Sequence, residues 1–189
     1  MPRFRFKQSE PVTSAILGLM ARVREPVEDV MARYDGGAAT RQICIKLFVR
    51  HGDEDNAIAF YRDVLGAELL RRHEWGGILT SADLCIGDSV FRVAGANPRR
   101  DAEPRLGGPR SPHALGTTAA ILELSVDDVD RVLERAIGAG ASLRNAAETL
   151  PTGDRVGALI DPFGHIWALF TAIDEGEIVD AFGVERNAA

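Results

Sequence analysis

The sequence is short of cysteine, of net positive charge and of long apolar runs, and each shortage removes a class of function. Its two cysteines, Cys44 and Cys85, lie far apart. Two isolated thiols make neither a disulfide framework nor a zinc site of near-neighbour ligands, so a reducing, cytoplasmic setting is expected. The formal net charge is −6. A chain of that sign has no general attraction for phosphate backbones or anionic lipid, which excludes nucleic acid and membrane as expected partners. No apolar run approaches the roughly 20 residues of a membrane helix. The stretch Ala15 to Met20 follows a basic segment, Met1 to Lys7, but it is short and is cut off by Arg22 and Arg24. Neither a signal peptide nor a membrane span is expected there. A glycine-rich phosphate loop, a nucleophile elbow and a Ser-His-Asp order are also missing. The glycines fall at helix ends and turns, where backbone geometry accounts for them.

What is present is a globular chain with an internal repeat. Of 189 residues, 46% are hydrophobic and 26% charged, a balance that supports one domain or two small modules sharing a core. Ile45, Leu47 and Val49 alternate as in a strand; Leu122, Leu124 and Val126 do the same 77 residues later. Each strand leads through an acidic turn into a helix, Asp55 to Leu65 and Val129 to Ala139. The helices stop at Gly66-Ala67 and Gly140-Ala141, where glycine takes the left-handed position. Short strands follow, Glu68 to Arg72 and Ser142 to Arg144. A hairpin then closes each unit: Gly77 to Ile86 with Ser89 to Ala94, and Arg155 to Ile160 with His165 to Thr171. The pattern is βαβββ twice, an α+β fold. The divisions are an N-terminal helical extension (1–40), a first module (41–97), a linker (98–117), a second module (118–173) and a C-terminal tail (174–189). Ser14 to Tyr34 reads as amphipathic helix interrupted at Pro26 and ended by Asp35-Gly36-Gly37. The linker is rich in Pro, Gly and Arg and reads as an exposed connection or mobile flap.

Two segments carry a family resemblance. Ala57-Ile58-Ala59-Phe60-Tyr61-Arg62-Asp63-Val64-Leu65-Gly66-Ala67 resembles the helix of glyoxalase and bleomycin-resistance proteins. Gly153-Asp154-Arg155-Val156-Gly157 with Asp161-Pro162-Phe163-Gly164-His165-Ile166-Trp167 resembles the closing hairpin of the same superfamily, that of the vicinal oxygen chelate, and within it the PhnB-like subgroup. The resemblance covers about Arg41 to Ala172. It implies cupped mixed sheets that form a cleft, and a homodimer in which modules pair within or between chains.

Strand alternation assigns the faces. Ile45, Leu47 and Val49 should face the helix, leaving Cys44, Lys46 and Phe48 in the cleft. Ile121, Glu123 and Ser125, and Ile166, Ala168 and Phe170, are the cleft positions of the second module. For the fourth strand, matching the repeats puts Phe91 in the cleft, whereas a one-residue bulge would put Arg92 there. The resemblance implies that metal-using relatives place His, Glu or Gln at positions matching Cys44, Phe91, Ile121 and Ala168. Three of those four carry no donor, so no metal or other cofactor is expected. Glu123 and His165 are the nearest alternative donors. His165 reads as a turn-packing residue; Glu123 reads equally as a ligand contact or as the partner of Lys46 or Arg155 across the cleft. Trp75, at a hairpin tip, suits stacking on a flat ligand or a dimer contact. His51 and His73 read as solvated surface histidines and His113 as a linker residue.

Two functions follow. One is a metal-free protein binding a small molecule, an antibiotic or metabolite, through Cys44, Lys46, Phe48, Trp75, Phe91, Ile121, Glu123, Arg155, Ala168 and Phe170. The other is a lyase, isomerase or dioxygenase of the same superfamily, either with displaced metal ligands or metal-free with Glu123 as catalytic base. The missing ligand residues favour the first.

Overall fold

The structure, a computed structural model, describes residues 43–103, 105 and 108–171. The expected N-terminal helices and C-terminal tail lie outside the described residues. The order is β1 (Ile45–Val49), α1 (Glu54–Leu65), β2 (Glu68–Trp75), β3 (Ile78–Ile86), β4 (Ser89–Gly95), the single helical turns α2 (Pro98–Asp101) and α3 (Pro112–Leu115), then β5 (Ile121–Ser125), α4 (Val129–Gly138), β6 (Ser142–Thr149), β7 (Arg155–Ile160) and β8 (Ile166–Thr171). The two sheets share one order, β1-β4-β3-β2 and β5-β8-β7-β6, with the first strand parallel to the fourth. This is the expected α+β fold of two βαβββ modules. Strands β2 and β6 run further than their sequence suggests. Both contain register shifts, and a bulge interrupts the alternation by which a strand is read.

Local chemistry sets the helices. In α1, Glu54 and Asp55 sit in the first turn, where the dipole favours acids, and Gly66 ends the helix at φ 72°. Helix α4 starts at Asp128, whose carboxylate accepts the Arg131 backbone N–H at 2.9 Å. Val129, Val132, Leu133 and Ala136 form its buried stripe. That stripe lies so close to the sheet that a Cβ at Gly157 would stand 2.8 Å from Leu133 Cδ1. A larger residue there would have to displace the Leu133 and Val129 side chains.

One core joins both modules. Tyr61 of α1 meets Phe91 of β4 at 5.6 Å between ring centroids and Trp167 of β8 at 5.7 Å. Phe91 meets Trp167 at 6.3 Å. Beneath these rings Asp161, buried, accepts the Tyr61 hydroxyl at 2.7 Å and the Trp167 indole N–H at 3.0 Å on Oδ2. Its Oδ1 accepts the Phe163 and His165 backbone N–H groups, each at 2.9 Å. Burial, then the charge and hydrogen bond of Asp161, push the Tyr61 hydroxyl well above its ordinary pKa, so it stays a donor. The helix-facing sides of both sheets look into this shared core. Their opposite, outer faces look away from it, and these carry the candidate site positions.

The linker is less free than its composition suggests. Ser111 and Pro112 are buried, Ser111 caps α3, and His113 Nε2 donates to the Pro162 carbonyl at 2.7 Å. The end of the linker is thereby fastened to the β7–β8 turn.

Candidate functional site

The outer face of the first sheet is built by register. Lys46 on β1 stands beside Arg92 on β4, Arg92 opposite Asp83 on β3, and Asp83 opposite Arg71 on β2. Partners in register point to the same side of a sheet, so these four occupy one row. Asp83 has no exposed surface. Arg92 donates to it twice, Nε to Oδ1 at 2.5 Å and Nη2 to Oδ2 at 3.0 Å. His73, on β2, donates Nε2–H to Oδ2 at 2.7 Å. Burial alone would raise the Asp83 pKa. The hydrogen bonds and charges of Arg92 and His73 outweigh it and hold the carboxyl below the usual range. Lys46 is exposed; its ammonium lies 5.9 Å from the Phe48 ring centroid.

The second sheet's outer face differs. Its rows are Glu123, Ala168, Ala158 and Asn145, then Ser125, Phe170, Val156 and Glu148. They border an open depression of about 490 Å³, lined among the described residues by the second module alone. Glu123 is exposed there, beside the methyl group of Ala168 and the ring of Phe170. Ile121 is 51% exposed at the head of β5.

Several expected positions are thus found on the outer faces: Lys46, Phe48, Ile121, Glu123, Ala168 and Phe170. Cys44 is exposed just ahead of β1, with its thiol 3.6 Å from the Ile45 carbonyl. Trp75 is at the β2–β3 hairpin tip, 83% exposed, next to Ile78, which is 60% exposed.

Three expectations are corrected. Phe91 faces the core and is only 8% exposed. Ile45 pairs with Phe91 whereas Leu122 pairs with Trp167, so the repeat spacing shortens by one residue at the fourth strand. Phe91 therefore corresponds to Trp167, and Arg92 to Ala168. Arg155 is not an anchor on the outer face. It shares the helix-facing parity of Gly157 and Leu159 and forks onto Asp130 of α4 at 2.7 and 2.8 Å. That hydrogen bond, with the charge of the pair, lowers the Asp130 pKa. His73 is no solvated histidine, since Asp83 holds it. Asp83 itself was missed. Its signal was an aspartate in mid-strand, a residue type depleted in strands and rarely buried without a partner.

His165 is a packing residue, as expected: 7% exposed, it donates from Nε2 to the Phe48 carbonyl at 3.2 Å. Burial lowers its pKa against the upward pull of Asp161.

A metal of the kind the fold family uses does not fit these faces. The side chains present at the matched positions are Cys44, Arg92, Ile121 and Ala168, and Arg92 places a permanent cation where a donor would be needed. No group of three or more His, Cys, Asp or Glu side chains able to hold an ion occurs among the described residues.

Two βαβββ modules with matching sheets and one shared core define a modular α+β class of protein. The chain belongs to the Glyoxalase/Bleomycin resistance protein/Dioxygenase superfamily, whose model matches residues 44–169. It is 42% identical over 126 residues to an uncharacterized protein of Mycobacterium bovis, a match covering 65% of this chain and 79% of that one. An uncharacterized protein of Mycobacterium tuberculosis is likewise 42% identical, covering 65% of this chain and 71% of its own length. Among solved structures, TioX from Micromonospora sp. ML1 is similar at 25% identity and TM-score 0.51, covering 70% of this chain and all, 100%, of that one. A glyoxalase-related enzyme from Fulvimarina pelagi shares the fold at 20% identity and TM-score 0.52, with 70% and 89% covered. No helix among the described residues is long and apolar enough to cross a membrane.

Proposed function

We propose that this chain is a metal-free, cytoplasmic small-molecule-binding protein of the PhnB-like kind, acting as a homodimer and taking an antibiotic or metabolite. The observation that carries the reading is the side-chain set on the outer faces. On β1, β4, β5 and β8 these faces offer two basic groups, Lys46 and Arg92, and one carboxylate, Glu123, set among apolar Phe48, Ala168 and Phe170. Such a mixture suits an organic ligand with a few polar points better than a cation that needs several oxygen or imidazole donors. Each outer face is a shallow half-site. A second copy completes it, with the basic first face (Lys46, Arg92, Arg71) meeting a second face whose depression carries Glu123 and Glu148 beside Arg144. Exposed Trp75, Ile78 and Ile121 add apolar surface to such a contact. Two cysteines far apart in the sequence, Cys44 and Cys85, fit a reducing compartment.

The test is elemental analysis of purified protein, calorimetry with added Zn²⁺, Ni²⁺, Mn²⁺ and Fe²⁺, and a small-molecule screen. Saturable binding of an organic compound, with less than 0.1 equivalent of metal held on the order of micromolar affinity, is expected. One tightly held metal per chain would overturn the reading in favour of a lyase or dioxygenase.

A further inference from the structure

The two modules are covered unequally where the first strand runs into the helix. On β1 the helix-facing Leu47 and Val49 are buried, at 5% and 0% exposure. Their register counterparts on β5, Leu124 and Val126, are only partly buried. The first junction has a roof. The chain that follows β4, the linker, returns to it and lays helix α3 against β1. The β7–β8 turn completes that roof. His165 donates to the Phe48 carbonyl at 3.2 Å, and a Cβ at Gly164 would stand 2.8 Å from Pro112 Cβ. The second junction has no such roof among the described residues. The β3–β4 turn beside it is Gly87-Asp88 alone, and an open depression of about 400 Å³ remains. Leu65, Ile86, Leu124, Val126 and Val132 give it an apolar lining, with Arg131 and Arg135 on its α4 side. Asp127 and Asp128 also border it, and the Asp128 carboxylate is engaged in capping α4.

In the first module the roof comes from the chain that follows the fourth strand. In the second, the chain that follows the fourth strand is residues 172–189, which lie outside the described residues. It sets out from the edge of the depression, for Thr171 Oγ1 donates to the Val126 carbonyl at 3.0 Å. From Thr171 to Ile178 it can span about 23 Å, ample to cross the depression. Its composition suits the lining: Ile178, Val179 and Phe182 are apolar, and five acidic residues stand against one basic residue, Arg186.

We infer that residues 172–189 dock over the β5–α4 junction, with Ile178, Val179 and Phe182 in the depression and the neighbouring carboxylates toward Arg131 and Arg135. The depression is on the helix side of the sheets, so the inference is independent of the ligand-binding reading and of the pairing of outer faces. It is tested by NMR on the full chain with methyl groups and phenylalanine rings labelled. Nuclear Overhauser contacts are expected between the Phe182 ring and the methyls of Leu124, Val126 and Val132. The amides of residues 178–182 should exchange at least about tenfold more slowly than those of an unstructured chain. Phe182→Ser, a change outside the shared core, should abolish that protection. Arg131→Gln alters one exposed charge and should reduce it about twofold. Exchange at the unstructured rate, with no such contacts, would overturn the inference. Contacts found only between differently labelled chains in a mixed sample would overturn it too, making a second copy the occupant. Protection that survives Phe182→Ser, with contacts to other methyls, would place the segment elsewhere and equally refute it.

Discussion

The two modules share one sheet order and differ most at two places, the turn before the fourth strand and the outer face. In the first module the turn is Gly87-Asp88 alone, since Ile86 pairs directly with Ser89. In the second, Ile160 pairs with Ile166, and residues 161–165 intervene. The longer turn holds Asp161, which ties the Tyr61 helix to β8. The outer faces differ in kind: a basic row clasped around a buried aspartate in one, an open apolar depression edged by glutamates in the other. The repeat therefore sets the frame, while the departures from it set how the halves are joined and what each face can hold. The largest test breaks the join. Asp161→Ala strands the Tyr61 hydroxyl, the Trp167 indole and two backbone N–H groups in the core. It should cost about 4 kcal/mol in urea denaturation, more than any substitution on either outer face.

A second test sharpens the correspondence of the fourth strands. If Phe91 matches Trp167, Phe91→Ala opens a cavity among Tyr61 and Trp167 and should cost about 3 kcal/mol. If Phe91 instead matched Ala168, as the simple 77-residue spacing suggests, the same change would cost less than about 1 kcal/mol. Denaturation midpoints separate the two.

That spacing marks the limit of what the sequence discloses. Alternation at Ile45, Leu47 and Val49 and at Leu122, Leu124 and Val126, the glycine stops and the helix stripes are local, and they place the elements. The faces of β1, β5 and β8 are legible for the same reason. Phe91 was misplaced because register depends on turn length, and one residue moves a side chain through the sheet. Arg155 was misplaced for want of its partner, as Asp130 lies on a helix that only the fold brings near. The His73–Asp83–Arg92 cluster joins three strands, and no spacing within one strand reveals it.

The cluster gives a third prediction, on acid stability. The Asp83 carboxyl is held below its ordinary pKa in the folded chain. Its contribution is therefore complete above the unfolded value of about 4 and is lost as pH falls through the folded value. At neutral pH, Asp83→Asn should cost about 1–2 kcal/mol. Below about pH 3 the gap between variant and parent should narrow. A gap constant from pH 7 to pH 3 would mean that Asp83 carries no such charge-linked stability. The second module has no carboxylate at the register position matching Asp83, which Ala158 occupies.

The smallest expected effect on stability decides most about chemistry. Glu123 is exposed and its carboxylate supports no packing, so Glu123→Gln should shift stability by less than about 0.5 kcal/mol. A ligand found by screening should still bind, with affinity altered by the loss of one charge. If the chain only binds, parent and variant alike return that ligand unchanged after long incubation. If the parent converts it and Glu123→Gln binds it without conversion, Glu123 is a base and the second face is an active site. Because the substitution leaves the fold and the basic first face intact, that outcome could not be ascribed to lost structure. It would make the difference between the two outer faces a division between holding the ligand and reacting with it.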